Sequence, residues 1–224
     1  MRWRLGWVVA ALLLVGCGPM RSPPPQLQPL AQDQYILMAP LPRLLAPGQP
    51  VPGDPDELMR LHDNPDGAAV IAELTPRLRD VPPNYLYEYA RRMFEVNAAE
   101  GFKWFWVGSV RARYDALRCT DTTSHQGALF LPQLTPDIVK AIQADEMAFA
   151  RQIEPALAEE ATFPVNTNPA WICVHGMKSY TALRIGDKLP NWVISEWDWP
   201  AVRQKVRTDA RISAAKMLTD VSKK

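Results

Sequence analysis

The sequence predicts a mainly α-helical domain, irregular in layout and built around one αα-hairpin. A single disulfide staples it, and the span 170–195 is read as short strands or buried turns. Three observations carry this. From Asp56 onward, apolar residues recur every three or four positions. Proline thins out at the same point: eleven of the 22 prolines fall between residues 18 and 55. After Cys17 only two cysteines remain, Cys119 and Cys173.

The chain opens with the short positive stretch Met1-Arg2-Trp3-Arg4, followed by the uncharged residues 5–15. That run suits the core of a signal peptide. It is too short to cross a bilayer, which takes roughly 20 apolar residues. It closes in Leu14-Val15-Gly16-Cys17, which resembles the lipobox of bacterial lipoproteins. The resemblance implies cleavage of residues 1–16, a diacylglycerol on the Cys17 sulfur and an acyl chain such as palmitate on its new amino group. Each buried methylene adds about 0.8 kcal/mol, so several chains on one residue anchor it firmly. An ordinary secretory signal with an incidental cysteine is the alternative. In that family aspartate after the cysteine signals retention at the inner membrane. Gly18 stands here, so the expected address is periplasm-facing at the outer membrane, or the cell membrane in an organism without one.

Removing 16 of the 224 residues leaves 208, with 23 Lys plus Arg against 24 Asp plus Glu. This near-neutral balance gives no basic surplus for a nucleic-acid partner. Residues 17–55 contain Pro23-Pro24-Pro25 and Pro47-Gly48-Gln49-Pro50-Val51-Pro52. Proline fixes φ and removes amide donors, so this segment reads as a semi-extended tether. A proline-rich ligand for another protein is the alternative reading. The island Tyr35-Ile36-Leu37-Met38 is also suited to packing back on the domain. In an exported chain Cys119 and Cys173 read as one disulfide, worth about 4 kcal/mol on the chain-entropy account.

The domain is assigned to 56–224. A helix is expected over 67–79, capped by Asp66, with Pro76 bending it or starting a new turn. The clearest unit is 82–119. Asn84 is the expected cap, and Tyr85, Leu86, Tyr89, Ala90, Met93 and Phe94 share one face. Asn97-Ala98-Ala99 reads as a tight connection to a second helix with Phe102, Phe105, Trp106, Val110 and Tyr114 on one side. Gly101 and Gly108 are poor helix formers, which suggests that the two helices approach closely. This hairpin resembles one unit of the tetratricopeptide or Sel1-like class, through Ala90, Phe94 and Trp104-Phe105-Trp106. No second copy is evident, and a solenoid needs about three. Thr135-Pro136-Asp137 starts another helix, which Pro155 kinks or splits. Trp171-Ile172-Cys173-Val174 and Trp192-Val193-Ile194 are the strand or buried-turn segments. A final helix begins at Trp199-Pro200, with Lys223-Lys224 suiting its C-terminal end.

No phosphate loop, nucleophile elbow, dinucleotide fingerprint or zinc-spaced cysteine pair occurs, so no cofactor and no metal are expected. The disulfide would bring His175, Lys178 and Ser179 beside Asp121, Ser124 and His125. A hydroxyl beside a base is what nucleophilic hydrolysis needs, which makes His175 and Ser179 the catalytic candidates. The plainer reading is that these side chains satisfy loop backbone. The adjacent pairs Asp145-Glu146 and Glu159-Glu160 read as solvated faces, because neighbours on a helix point about 100° apart. Trp197 and Trp199, flanking Asp198, are the aromatics expected to reach a partner. The preferred function is a non-catalytic protein-binding lipoprotein of the envelope: an inhibitor, an immunity protein or an assembly accessory factor. The alternatives are an envelope hydrolase centred on His175 and Ser179, and a peptidoglycan or lipid binder using the tryptophans of 171–199.

Overall fold

The computed structural model describes residues 54–178, 181 and 192–221. The signal segment, Cys17, the proline-rich stretch through residue 53, Ser179 and Lys223-Lys224 lie outside the described residues. The described chain is mainly helical, without a strand. Its helices are α1 (Pro55–Asp63), α2 (Gly67–Leu74), α3 (Pro83–Val96), α4 (Ala98–Leu117), α5 (Gly127–Phe130), α6 (Pro136–Ala144), α7 (Glu146–Ala150), α8 (Ile153–Glu160), α9 (Ala170–Cys173) and α10 (Trp199–Val221). Tighter 3-10 turns occur at Thr75–Arg77, Thr122–Gln126, Leu131–Leu134 and Glu196–Asp198. None of these helices is long and apolar enough to cross a membrane.

The hub is the α3–α4 hairpin, joined by a single residue. Asn97 closes α3 and caps α4: its side-chain oxygen accepts from the amides of Ala99 at 3.0 Å and Glu100 at 3.3 Å. Such a short joint forces the helices together, and glycine makes room. A Cβ on Gly101 would lie 2.5 Å from Phe94 Cα, and one on Gly108 3.2 Å from the Tyr87 ring. Aromatic pairs then fill the seam. Tyr87 meets Phe105 edge-on at 5.1 Å, Tyr89 meets Trp104 at 4.9 Å, and Phe94 tilts against Phe102 at 5.5 Å. Such contacts add about 0.5–1.5 kcal/mol each beyond area burial. Asn84 is not the cap of α3. The helix starts two residues earlier because Pro82 holds the extended cap conformation and Pro83 the first helical position.

The other helices wrap this hub. α1, α2 and α6 pack on α3, while α7, α8 and α10 close over α4. Trp106 stacks on Phe149 at 4.4 Å and donates its indole N–H to the Phe149 carbonyl at 2.9 Å. The long helix expected after Pro136 is broken twice, both times ahead of Pro155. Asp145 ends α6 and caps α7, accepting from the Ala148 amide at 2.8 Å. α8 restarts at Ile153, which puts Pro155 in a first turn where its missing N–H leaves no bond unmade.

In the 170–195 span, Trp171-Ile172-Cys173 is helical, within α9. Val193 forms an isolated antiparallel bridge with Cys119. The Thr120 amide donates to the Trp192 carbonyl at 3.0 Å and the Ile194 amide to the Arg118 carbonyl at 2.8 Å. Residues 182–191 lie outside the described residues. The Cys119–Cys173 disulfide is formed, with its Cα atoms 5.2 Å apart, and ties the end of α4 to α9.

Candidate functional site

The disulfide holds the turn at Thr122–Gln126 against α9 and the residues that follow it. Asp121 organises this junction. Its carboxylate accepts from the Thr123 amide at 3.1 Å, the Thr123 hydroxyl at 2.7 Å and the Lys178 amide at 2.7 Å. The Thr123 hydroxyl oxygen in turn accepts from the Met177 amide at 2.8 Å. Burial pushes the Asp121 carboxyl up, but the hydrogen bonds from Thr123 and Lys178 outweigh it and hold its pKa below the ordinary value. The buried Ser124 hydroxyl donates to the Asp121 carbonyl at 2.6 Å, so it serves the loop backbone. His175 is half-buried, and burial lowers its pKa from 6.5. Gly176 lies against Asp121, where an added Cβ would sit 2.7 Å from the carboxyl carbon. Asp121, Ser124, His125, His175 and Lys178 thus occupy adjoining segments, while Ser179 lies outside the described residues.

The two aromatic candidates part company. Trp197 is 93% exposed on its 3-10 turn, flanked by the exposed acids Glu196 and Asp198. Trp199 is half-buried: its ring lies 4.5 Å from the Arg118 guanidinium and its indole N–H donates to the Ile194 carbonyl at 3.3 Å. The turn is therefore pinned on both sides, by the Cys119–Val193 bridge before it and by Trp199 after it. Leu129, Phe130 and Met177 are also exposed, on segments fastened to the end of α4 by chain continuity and by the disulfide.

A second region was not legible in the sequence. Arg111 and Asp115 on α4 and Arg118 at its C-cap recur at helical spacing and are 2%, 1% and 0% exposed. One Asp115 oxygen accepts from Arg118 at 2.6 Å and the other from the Trp171 indole at 2.7 Å. Arg111 donates to the Pro164 carbonyl at 3.2 Å and the Thr167 hydroxyl at 2.6 Å. Its plane faces Tyr114 at 5.1 Å and Phe163 at 5.5 Å. Burial draws the Arg111 pKa down and raises that of the Tyr114 phenol. Glu160, expected on a solvated face, is completely buried. It accepts from Arg203 Nε at 2.9 Å and from Arg207, and its carbonyl accepts from Arg203 at 2.5 Å. The reason is tertiary: α10 lies over the C-terminal end of α8 and delivers both arginines to it.

Beside this network opens a cleft of about 260 Å³, lined by residues 79–83, Arg111, Asp115, Pro164 and residues 166–168, so that the acids Asp80 and Asp115 share it with Arg79 and Arg111. The sequence held no distinct signal for it, because a charged triplet at helical spacing reads the same as a solvated face. Among the described residues, no group of three or more His, Cys, Asp or Glu side chains is placed to hold a metal. No family model, curated protein or solved structure matches the chain.

Proposed function

We propose that this chain is a cell-envelope lipoprotein, anchored through Cys17 and facing the periplasm, that acts as a non-catalytic protein-binding module. Inhibitor, immunity protein and assembly accessory factor are the roles of this kind. The lipobox-like Leu14-Val15-Gly16-Cys17 supports the anchoring. The binding role rests on Trp197, which offers nearly its whole indole to solvent from a turn fixed at both ends. An aromatic held in place before contact loses little conformational freedom on binding, as interface anchors require. With Glu196 and Asp198 beside it, Trp197 suits an apolar pocket with a basic rim on an envelope protein.

Crosslinking the intact lipoprotein in its own envelope, followed by affinity capture and mass spectrometry, tests this. The expected result is one stoichiometric protein partner, lost on Trp197→Ser without a change in melting temperature. Cys17→Ala should release the protein from the membrane fraction. Partner recovery unaffected by Trp197→Ser, or membrane retention of Cys17→Ala, would refute the corresponding half of the reading.

A further inference from the structure

We propose that the cleft beside α4 binds a small carboxylate ligand, with its anionic end on the Arg111 guanidinium and the Thr167 hydroxyl. This inference is independent of the protein-binding reading. Charge leads to it first. Arg111, Arg118, Arg203 and Arg207 converge on only two buried carboxylates, Asp115 and Glu160. Asp115 is engaged by Arg118 and Trp171, and Glu160 by Arg203 and Arg207. Arg111 comes no nearer than 3.6 Å to Glu160 and donates its hydrogen bonds to uncharged oxygens. It is thus a buried cation without a hydrogen-bonded carboxylate among the described residues. Glu160 at 3.6 Å and Asp115 offset part of its charge, but four guanidiniums share these two carboxylates, and an anion reaching Arg111 from the cleft adds the charge-assisted hydrogen bond that neither supplies.

The hydroxyl of Thr167 points to the same ligand. Its oxygen accepts from Arg111 at 2.6 Å and from Arg118 at 3.3 Å. With both lone pairs engaged, its own O–H is left to donate, and Thr167 lines the cleft. A guanidinium fork matches the two coplanar oxygens of a carboxylate. The volume, about 260 Å³, far exceeds the roughly 30 Å³ share of one water and leaves space for more than the charged group. Pro82, Pro83 and Pro164 offer apolar walls. Asn168, whose side-chain oxygen accepts from the Ala170 amide at 2.9 Å, keeps its amide donors for the ligand. The ligand class this describes is a carboxylate carrying a neighbouring amide, such as an acylated amino acid or the carboxyl end of a peptide.

Ligand-observed saturation-transfer NMR on the full chain in detergent micelles tests the proposal. The probe is N-acetylglycine, with N-acetylglycinamide as its uncharged counterpart. The carboxylate should saturate a site, and the amide should bind at least about tenfold more weakly. Asn166→Asp, an exposed change at the cleft, should weaken the carboxylate about tenfold by repulsion and leave the melting temperature unaltered. Equal binding of the two probes, no saturation up to about 20 mM, or an Asn166→Asp variant indistinguishable from the parent would overturn it. Inorganic phosphate that binds more tightly than N-acetylglycine and displaces it would assign the cleft to a phosphoryl ligand instead.

Discussion

Two glutamates of α8 face arginines of α10 in opposite surroundings, which makes a controlled comparison. Glu160 is fully buried, with Arg203 and Arg207 only 14% and 17% exposed in their side chains. Glu154 meets Arg211 at 2.7 Å with both side chains open to water, 62% and 43% exposed. Glu160→Gln keeps the shape but removes the counter-charge of two half-buried guanidiniums and turns an amide donor toward one of them. Breaking a buried pair in this way costs about 3–5 kcal/mol. Glu154→Gln should cost less than about 1 kcal/mol, because water screens that pair. At about 2–4 °C per kcal/mol for a domain of this size, Glu160→Gln should melt about 6–20 °C lower. The assay is urea unfolding of the oxidised protein at pH 7, followed by circular dichroism, with unchanged slopes required for the comparison. If the two variants fall within about 1 kcal/mol of each other, the claim that α10 locks onto α8 through a buried carboxylate is wrong.

Gly101→Ala should destabilise by about 3 kcal/mol, because its Cβ would meet the backbone of Phe94, whereas Gly108→Ala, against a ring that can shift, should cost about 1 kcal/mol. Chemical denaturation of both variants checks the order. Reducing Cys119–Cys173 should lower stability by about 4 kcal/mol, read as a drop in urea midpoint on adding reductant; an unchanged midpoint would count against the crosslink. Burial holds the His175 pKa below 6.5, so the unfolded chain takes up its proton first as pH falls. Its contribution to stability is therefore complete above about pH 6.5 and is lost as pH drops from there through the lower folded value. His175→Asn should flatten the pH dependence of stability in that window, and an unaltered slope would contradict the assigned burial.

Much of the framework was readable locally. Asp66 caps α2, accepting from the Ala69 amide at 3.0 Å, and Pro136 opens α6, as expected from residue type and position. The hairpin and its two glycines were legible because helical periodicity and missing Cβ atoms are properties of neighbours in the chain. The pairing of Cys119 with Cys173 needed only that no other thiol follow Cys17. Boundaries were less legible. Pro155 announces a break, but the chain makes it earlier, at Asp145, whose side chain caps α7, and at Arg151-Gln152, where no side chain caps α8. Asn84 lost the cap position to Pro82, since two consecutive prolines already hold the geometry that starts a helix.

What the sequence by itself determined was helical class, the αα-hairpin with its close contact, and the one crosslink. All follow from spacings of a few residues or from a count of cysteines. Only the tertiary structure decided which charges are buried. Arg111 and Asp115 on α4, Arg118 at its C-cap and Glu160 on α8 carry the same local signal as a solvated face. They leave water only because the 163–168 loop and α10 come down over them. Burial depends on what arrives from 40 to 100 residues away, and helical periodicity carries no record of it. The cleft at Arg111 is a product of that arrival.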